Sequence, residues 1–224
     1  MQTIRFTFSK TGAARYLSHL DLVRCMTRAL RRTGLDVKYT EGFNPHPYIT
    51  FALPLPLGQE GLAEKMDVIF IDGEGPQEAA AKLGAALPEG IRIVGAAPPV
   101  HPPARIRYAS YDLTLDFACV QDAQLYRQTA VRLVEQGALA AQKTAKKGRA
   151  KVLKTIDLCE HLQRFEASVQ GTSVRIGATL SAGIENNVNP FLLTGALERE
   201  SAVRPETQLV VREVLLMEDL MPFS

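Results

Sequence analysis

The segment VGAAPPVHPPARIR limits what this chain can fold into. Pro98, Pro99, Pro102 and Pro103 lie almost side by side in it. Each removes a backbone donor and fixes φ, so neither a helix nor a central strand runs through. The 224-residue chain is therefore expected to divide into a first unit over 1–97, a Pro-rich linker over 98–104 and a second unit over 105–224. Each half is close to the usual size of a domain. With 46% hydrophobic and 22% charged residues, both halves can bury a core.

The two halves carry the same order of patterns. In the first, TIRFTFSK alternates, with Ile4, Phe6 and Phe8 on one face. A helix follows over about 18–33. Ser18 suits its N-cap, Asp21 sits three residues on, and Leu17 and Leu22 take the two positions of a hydrophobic staple. Gly34 suits the C′ position. Strands are expected over 48–53 and 65–71, a second helix over 77–87, and a last strand at IRIVGAA. The second half reads as strand YDLTLDF, helix 121–136, strands RAKVLKTIDL and SVRIGATLSA, a helix PFLLTGALERE capped by Asn189, and strand QLVVREVLLM. Both orders are β-α-β-β-α-β. The predicted fold class is α+β, with two tandem ferredoxin-like units.

Several functions are excluded by what is missing. There is no G-x-x-x-x-G-K-[ST], no G-x-G-x-x-G and no G-x-S-x-G. The three cysteines, Cys25, Cys119 and Cys159, form no C-x-x-C and read as reduced, buried thiols. No apolar run reaches the ~18 residues of a membrane span. The N-terminus alternates like a strand and has no signal-peptide core, so the expected location is cytoplasmic.

Charge is uneven along the chain. Residues 1–50 hold eight Lys/Arg against three Asp/Glu, and residues 101–154 hold ten against four. In SHLDLVRCMTRALRRTG, Arg24, Arg28 and Arg31 recur at helical spacing and make one basic stripe. Guanidinium forks suit phosphate oxygens. The stripe reads either as a phosphate-binding surface or as a solvated face. QKTAKKGRAKVLK, over 142–154, forms a basic arm with Lys143, Lys146, Lys147, Arg149 and Lys151. An arm of this kind either tracks a nucleic-acid backbone or stays solvated.

The stretch YTEGFNPHPYITFALPLPLG adds shape to charge. It holds four prolines, four aromatics and a single charged residue, Glu41. Asn44 and His46 each precede a proline and are pushed toward extended geometry. Residues two apart in an extended run point the same way, so the pair is expected side by side, flanked by Phe43 and Tyr48. This set reads as a substrate- or partner-binding surface, or as a stiff loop; His46 also has the chemistry of a proton shuttle. His19 and Asp21, on the first turn of the first helix, are further candidates for substrate or partner contact, with His19 read either as meeting an anion at the helix N-terminus or as a surface residue. The following ALPLPLG reads as a strand running into an extended edge.

RYLSHLDLVRCMTRALRRTGLDVKYTEGFNPHPYITFALPLPLG closely resembles the N-terminal signature of the radical-SAM-linked proteins, a family of unknown function. The matching residues are Ser18 to Asp21, Arg31 with Arg32, Gly42 to Pro47 and Leu55 to Gly58. The resemblance implies a partner, a radical-SAM protein with a cobalamin-binding region. This chain holds no C-x-x-x-C-x-x-C, so the iron–sulfur cluster, S-adenosylmethionine and cobalamin are expected on that partner and no cofactor on this chain. The expected function is a non-catalytic accessory module that presents RNA or another anionic substrate. Two alternatives stand beside it: an RNA-processing or RNA-modifying enzyme in its own right, and a purely protein-binding subunit. For the enzyme, TGALERESAVRPETQ lacks the Gly-rich loop of tandem ferredoxin-like CRISPR endonucleases. Asp21, the available counterpart of a pseudouridine synthase aspartate, is better explained as a helix-cap residue.

Overall fold

The computed structural model describes residues 1–73, 75–147 and 150–224, with the side chains of 143–154 outside the description. Its residues group into two compact units, one of residues 1–106 with 212–224 and one of residues 107–211. Both are α+β, with mainly antiparallel sheets and, among the described residues, four α-helices in all.

The first unit runs β1 (Gln2–Lys10), α1 (His19–Thr33), β2 (Ile49–Phe51), β3 (Glu60–Phe70), α2 (Pro76–Ala85) and β4 (Ile91–Ala97). β1 lies between β4 and β3, antiparallel to both, and β2 pairs antiparallel with β3. Alternation in β1 and β3 sorts the side chains by face. Ile4, Phe6 and Phe8 join Met66, Val68 and Phe70 against Leu22, Met26, Ala29 and Leu30 of α1 and Ala79 and Leu83 of α2, all buried. Burying each large side chain contributes about 1.5–3 kcal/mol. α1 begins as its sequence dictates. Ser18 Oγ accepts from the Asp21 amide at 3.2 Å, and Gly34 closes the helix at φ 69°.

Polar pairs join the other face of β1 and β3. Arg5 lies opposite Asp67 and donates to both carboxylate oxygens at 2.7 Å. Lys65 Nζ donates to Thr7 Oγ1 at 2.8 Å. The Pro-rich segment is fastened here. Arg5 donates to the His101 carbonyl at 2.8 Å and packs its guanidinium 4.5 Å from the Phe223 ring centroid, and the His101 amide donates to the Ser224 carbonyl at 3.0 Å.

The second unit runs β5 (Tyr108–Asp116), α3 (Val120–Glu135), β6 (Ala140–Lys147), β7 (Ala150–Asp157), β8 (Leu162–Gln170), β9 (Ser173–Ser181) and α4 (Pro190–Ser201). β10 (Thr207–Leu216) starts in this unit, and its residues from Arg212 onward belong to the first. β9 pairs antiparallel with both β5 and β8. Tyr111, Leu113, Leu115, Val174 and Ile176 of its strands and Ala123, Tyr126, Leu193 and Leu197 of its helices are all buried. Asn189 caps α4 by accepting from the Phe191 amide at 3.1 Å, with Pro190 in the first turn.

One expected strand is placed differently. RAKVLKTIDL, read as the neighbour of the SVRIGATLSA strand, instead supplies β7, which pairs with β6 in a separate two-stranded sheet. The place beside β9 goes to β8, LQRFEASVQ, whose half-buried Leu162, Phe165, Ala167 and Val169 make only a faint alternation. The ALPLPLG run also departs from expectation. β2 ends at Phe51, and the leucine–proline run is not a strand. Its Leu53 and Leu55 are buried, and Gly58 N donates to the Arg15 carbonyl at 2.9 Å.

Candidate functional site

α1 exposes the stripe that its spacing predicts: Arg24, Arg28 and Arg31 are all exposed. Their surroundings differ. Arg24 Nη1 pairs with Asp21 Oδ1 at 3.1 Å. Arg28 makes no hydrogen bond or ion pair among the described residues. Arg31 Nη2 donates to the Pro45 carbonyl at 3.1 Å, and its Cζ lies 5.9 Å from the centre of the Tyr39 ring. Arg32 turns away to donate to the Ala86 carbonyl at 2.6 Å.

Residues 38–48 form a closed hairpin beside Arg31. The Tyr48 amide donates to the Lys38 carbonyl at 2.8 Å, and the Thr40 amide to the His46 carbonyl at 2.9 Å. Tyr39 and Pro47 make a further antiparallel bridge. Gly42 turns the chain with φ 120°, a value that side chains rarely tolerate. The stem continues onto β3, where Lys38 N donates to the Ile69 carbonyl at 2.8 Å. Pro47 is buried, while Phe43, Asn44, His46 and Tyr48 are exposed. Phe43, at the tip, has a relative exposure of 113%. Lys38 Nζ lies 6.0 Å from the Tyr48 ring centroid.

His46 is oriented from within the hairpin. Its amide donates to Thr40 Oγ1 at 3.2 Å, and its Nδ1 lies 3.2 Å from both Thr40 Oγ1 and the Asn44 carbonyl. The Thr40 hydroxyl can donate to Nδ1, whereas the Asn44 carbonyl can only accept from it, so the ring's tautomer sets which of the two contacts is the hydrogen bond. Asn44 and His46 therefore share a tip, as alternation suggests, but the His46 ring is turned back onto the Asn44 backbone.

His19 and Asp21 stand at the other end of α1 from Arg31. Arg31 lies twelve helical steps after His19, about 18 Å along the axis. His19 is half-buried with its ring edge-on to Phe51 at 5.2 Å, and its Nδ1 is buried without a hydrogen-bond partner among the described residues. Asp21 accepts from Ser18 Oγ at 2.6 Å; this bond, then the Arg24 guanidinium, holds its carboxyl below the usual range despite slight desolvation. Its observed contacts are those of a helix cap.

The backbone of the basic arm sets Lys146 opposite Lys151 and Lys143 opposite Lys154 in β6 and β7. The side chains of Lys143, Lys146, Lys147 and Lys151 lie outside the described residues, as does Arg149 altogether. The arm's root is fixed: Leu139 and Ala141 are buried, and Arg199 Nη2 donates to the Ala140 carbonyl at 2.7 Å.

One polar cluster has no signal in the sequence. Glu64 and Arg212 are buried together, with Arg212 Nε 2.9 Å from Glu64 Oε1 and Arg212 Nη2 2.9 Å from the Leu53 carbonyl. Lys10 is buried nearby, its Nζ 3.5 Å from the Arg15 carbonyl and 3.4 Å from that of Leu17. Burial pushes its pKa down; the Glu64 carboxylate opposes the shift and Arg212 adds to it. These charges fasten the leucine–proline run and the entry to α1. Thr40, Lys38 and Tyr39 also enter the hairpin site, although only their sequence proximity hinted at it.

The described residues contain no group of three His, Cys, Asp or Glu side chains arranged to hold a metal ion. None of their helices is long and apolar enough to cross a membrane.

These features define a two-unit α+β protein with an arginine-striped helix and a closed aromatic hairpin in its first unit. The chain belongs to the family described as "Uncharacterized protein conserved in bacteria (DUF2344)", which matches residues 3–190. No curated protein matches it. Among solved structures it is similar to one described as "Crystal Structure of a Cbf5-Nop10-Gar1 Complex", with 9% identity and a TM-score of 0.48 over 94% of this chain. This chain covers 49% of that chain, about half its length. It is also similar to "Crystal Structure of an Unknown Protein from Galdieria sulphuraria", with 13% identity and a TM-score of 0.27 over 92% of this chain and 96% of that one. At these scores neither likeness bears on function.

Proposed function

We propose that the chain is a non-catalytic binding module whose α1 stripe and 38–48 hairpin dock RNA or another anionic substrate. The observation that carries this reading is the bond from Arg31 to the Pro45 carbonyl. It joins the basic stripe to the Asn44–His46 tip, so phosphate-binding and shape-reading groups share one surface. Exposed guanidinium groups at helical spacing cost a little stability through mutual repulsion, and a polyanion reverses that cost. Arg28, with no partner of its own among the described residues, is the cation most available to a phosphate.

In this reading both units are ferredoxin-like variants, the second with the β6–β7 hairpin inserted. The strand neighbours β4-β1-β3-β2 and β10-β5-β9-β8 support it, each set having its first and third strands at the centre. The resemblance in the hairpin signature makes a radical-SAM enzyme the partner that receives the substrate. The iron–sulfur cluster, S-adenosylmethionine and cobalamin then belong to that partner.

Filter-binding titration against total RNA at 50 mM and 200 mM salt tests the docking role. Binding at low salt that weakens steeply at high salt, and weakens further in Arg28→Glu, is the expected result. Absence of binding at 50 mM salt removes the RNA reading.

A further inference from the structure

We infer that the ligand of the α1–hairpin surface is single-stranded nucleic acid, with an unpaired base stacked on Phe43. This inference rests on the docking role proposed above and names its substrate class. The argument starts from the tip. A phenylalanine with a relative exposure of 113% gains nothing from the protein interior. Yet its backbone is not free. Two backbone hydrogen bonds, the Tyr39–Pro47 bridge and the Arg31 bond to Pro45 hold the hairpin on either side of it. The ordering entropy of the hairpin stem that carries the tip is thus spent before any ligand arrives, which favours binding.

The rest of the hairpin interleaves aromatic rings and cations. Tyr39 faces Arg31 and Tyr48 faces Lys38, while both tyrosines stay exposed. Aromatic faces beside cations are the chemistry of single-strand platforms, since every unpaired base offers a π-face and every linkage a phosphate. A duplex hides its base faces in its own stack and presents phosphates alone. It would use Arg24, Arg28 and Arg31 but leave Phe43 idle. Charge favours a polyanion over an acyl chain or an apolar peptide groove: Arg31 bonds the hairpin at Pro45, Lys38 stands at its base beside Tyr48, Arg28 precedes Arg31 by one turn of α1, and Glu41 is the hairpin's one acid. The Asn44 amide offers both a donor and an acceptor to a base edge, and His46 Nε2 a further hydrogen-bonding nitrogen.

Fluorescence anisotropy with a labelled 12-mer oligouridine, its adenosine counterpart and the duplex of the two tests the inference at 50–200 mM salt. The full chain is expected to bind each single strand at least about tenfold tighter than the duplex. Phe43→Ala is expected to lose about 5- to 150-fold on the single strands with an unchanged salt slope, and Phe43→Trp to retain binding. Arg28→Ala is expected to weaken single strand and duplex alike and to make the salt slope shallower. A duplex bound as tightly as the single strands, or full affinity in Phe43→Ala, overturns the inference and leaves the anion-docking role standing. A Phe43→Ala protein that keeps RNA affinity but loses a co-purifying protein also overturns it, assigning the tip to that protein. No binding to any of the three overturns the inference and removes the nucleic-acid form of the docking role. Thermal melting of Phe43→Ala checks that this exposed tip contributes nothing to the fold.

Discussion

Glu64 and Arg212 are 148 residues apart in sequence and form an ion pair with both side chains buried. Truncating one partner strands the other charge in the interior. Arg212→Ala is therefore expected to cost about 3–5 kcal/mol, read as a shift in the urea midpoint. Replacing both, as Glu64→Leu with Arg212→Met, removes both desolvation penalties and is expected to cost far less. A single variant as stable as the parent would mean that the pair is not buried in solution.

Gly61 tests the same contact from the backbone. A Cβ there would lie 2.5 Å from Glu64 Oε1 and 2.7 Å from Glu64 Cγ. Glu64 cannot swing aside, because Arg212 holds it. Gly61→Ala is expected to destabilise by more than about 1 kcal/mol, the ordinary effect of a point change. In Glu64→Ala the same substitution has nothing to strike and is expected to be close to neutral, a coupling that a double-mutant cycle measures.

The cap of α1 sets an acid-side dependence. Ser18→Ala is expected to cost about 1 kcal/mol at neutral pH. The Asp21 carboxyl is held below its ordinary value, first by Ser18 and then by Arg24. The unfolded chain therefore takes up this proton before the folded one as pH falls. The contribution is complete above the unfolded value, about pH 4, and disappears as pH drops through the lower folded value. Urea titrations of the parent and Asp21→Asn should differ at pH 7 and converge as pH falls through the lowered folded value.

Arg31 holds the hairpin as well as carrying charge. Arg31→Ala releases the Pro45 carbonyl and leaves the Tyr39 ring without its cation. Hydrogen exchange of the Thr40, His46 and Tyr48 amides is expected to quicken, while exchange in the core of β1 and β3 stays unchanged. Arg31→Lys keeps the charge but not the planar fork, and is expected to restore only part of the protection. Equal protection in all three proteins would show that the hairpin stands without the helix.

Much of the first unit is legible along the chain. Ser18, Asp21 and Gly34 act within one or two turns of themselves, so their roles in starting and stopping α1 follow from local rules. The arginine stripe follows from helical spacing, and the extended bias at Asn44 and His46 from the prolines after them. The His46 ring direction does not follow, because it depends on Thr40 and on a carbonyl brought back by the hairpin. β8 was illegible for another reason. Its inward residues are only half-buried, so selection for apolar alternation is weak there.

Sequence by itself determined the elements whose causes are short-range: helix caps, the basic stripe, the alternating strands and the stiff, aromatic hairpin segment. Only tertiary structure decided which strands are neighbours, that the basic arm pairs in a sheet of its own, and that Lys10, Glu64 and Arg212 share one interior. Caps and periodicity are written in residues a few positions apart. A buried charge is tolerable only where a distant partner is delivered to it, and that delivery belongs to the packed chain as a whole.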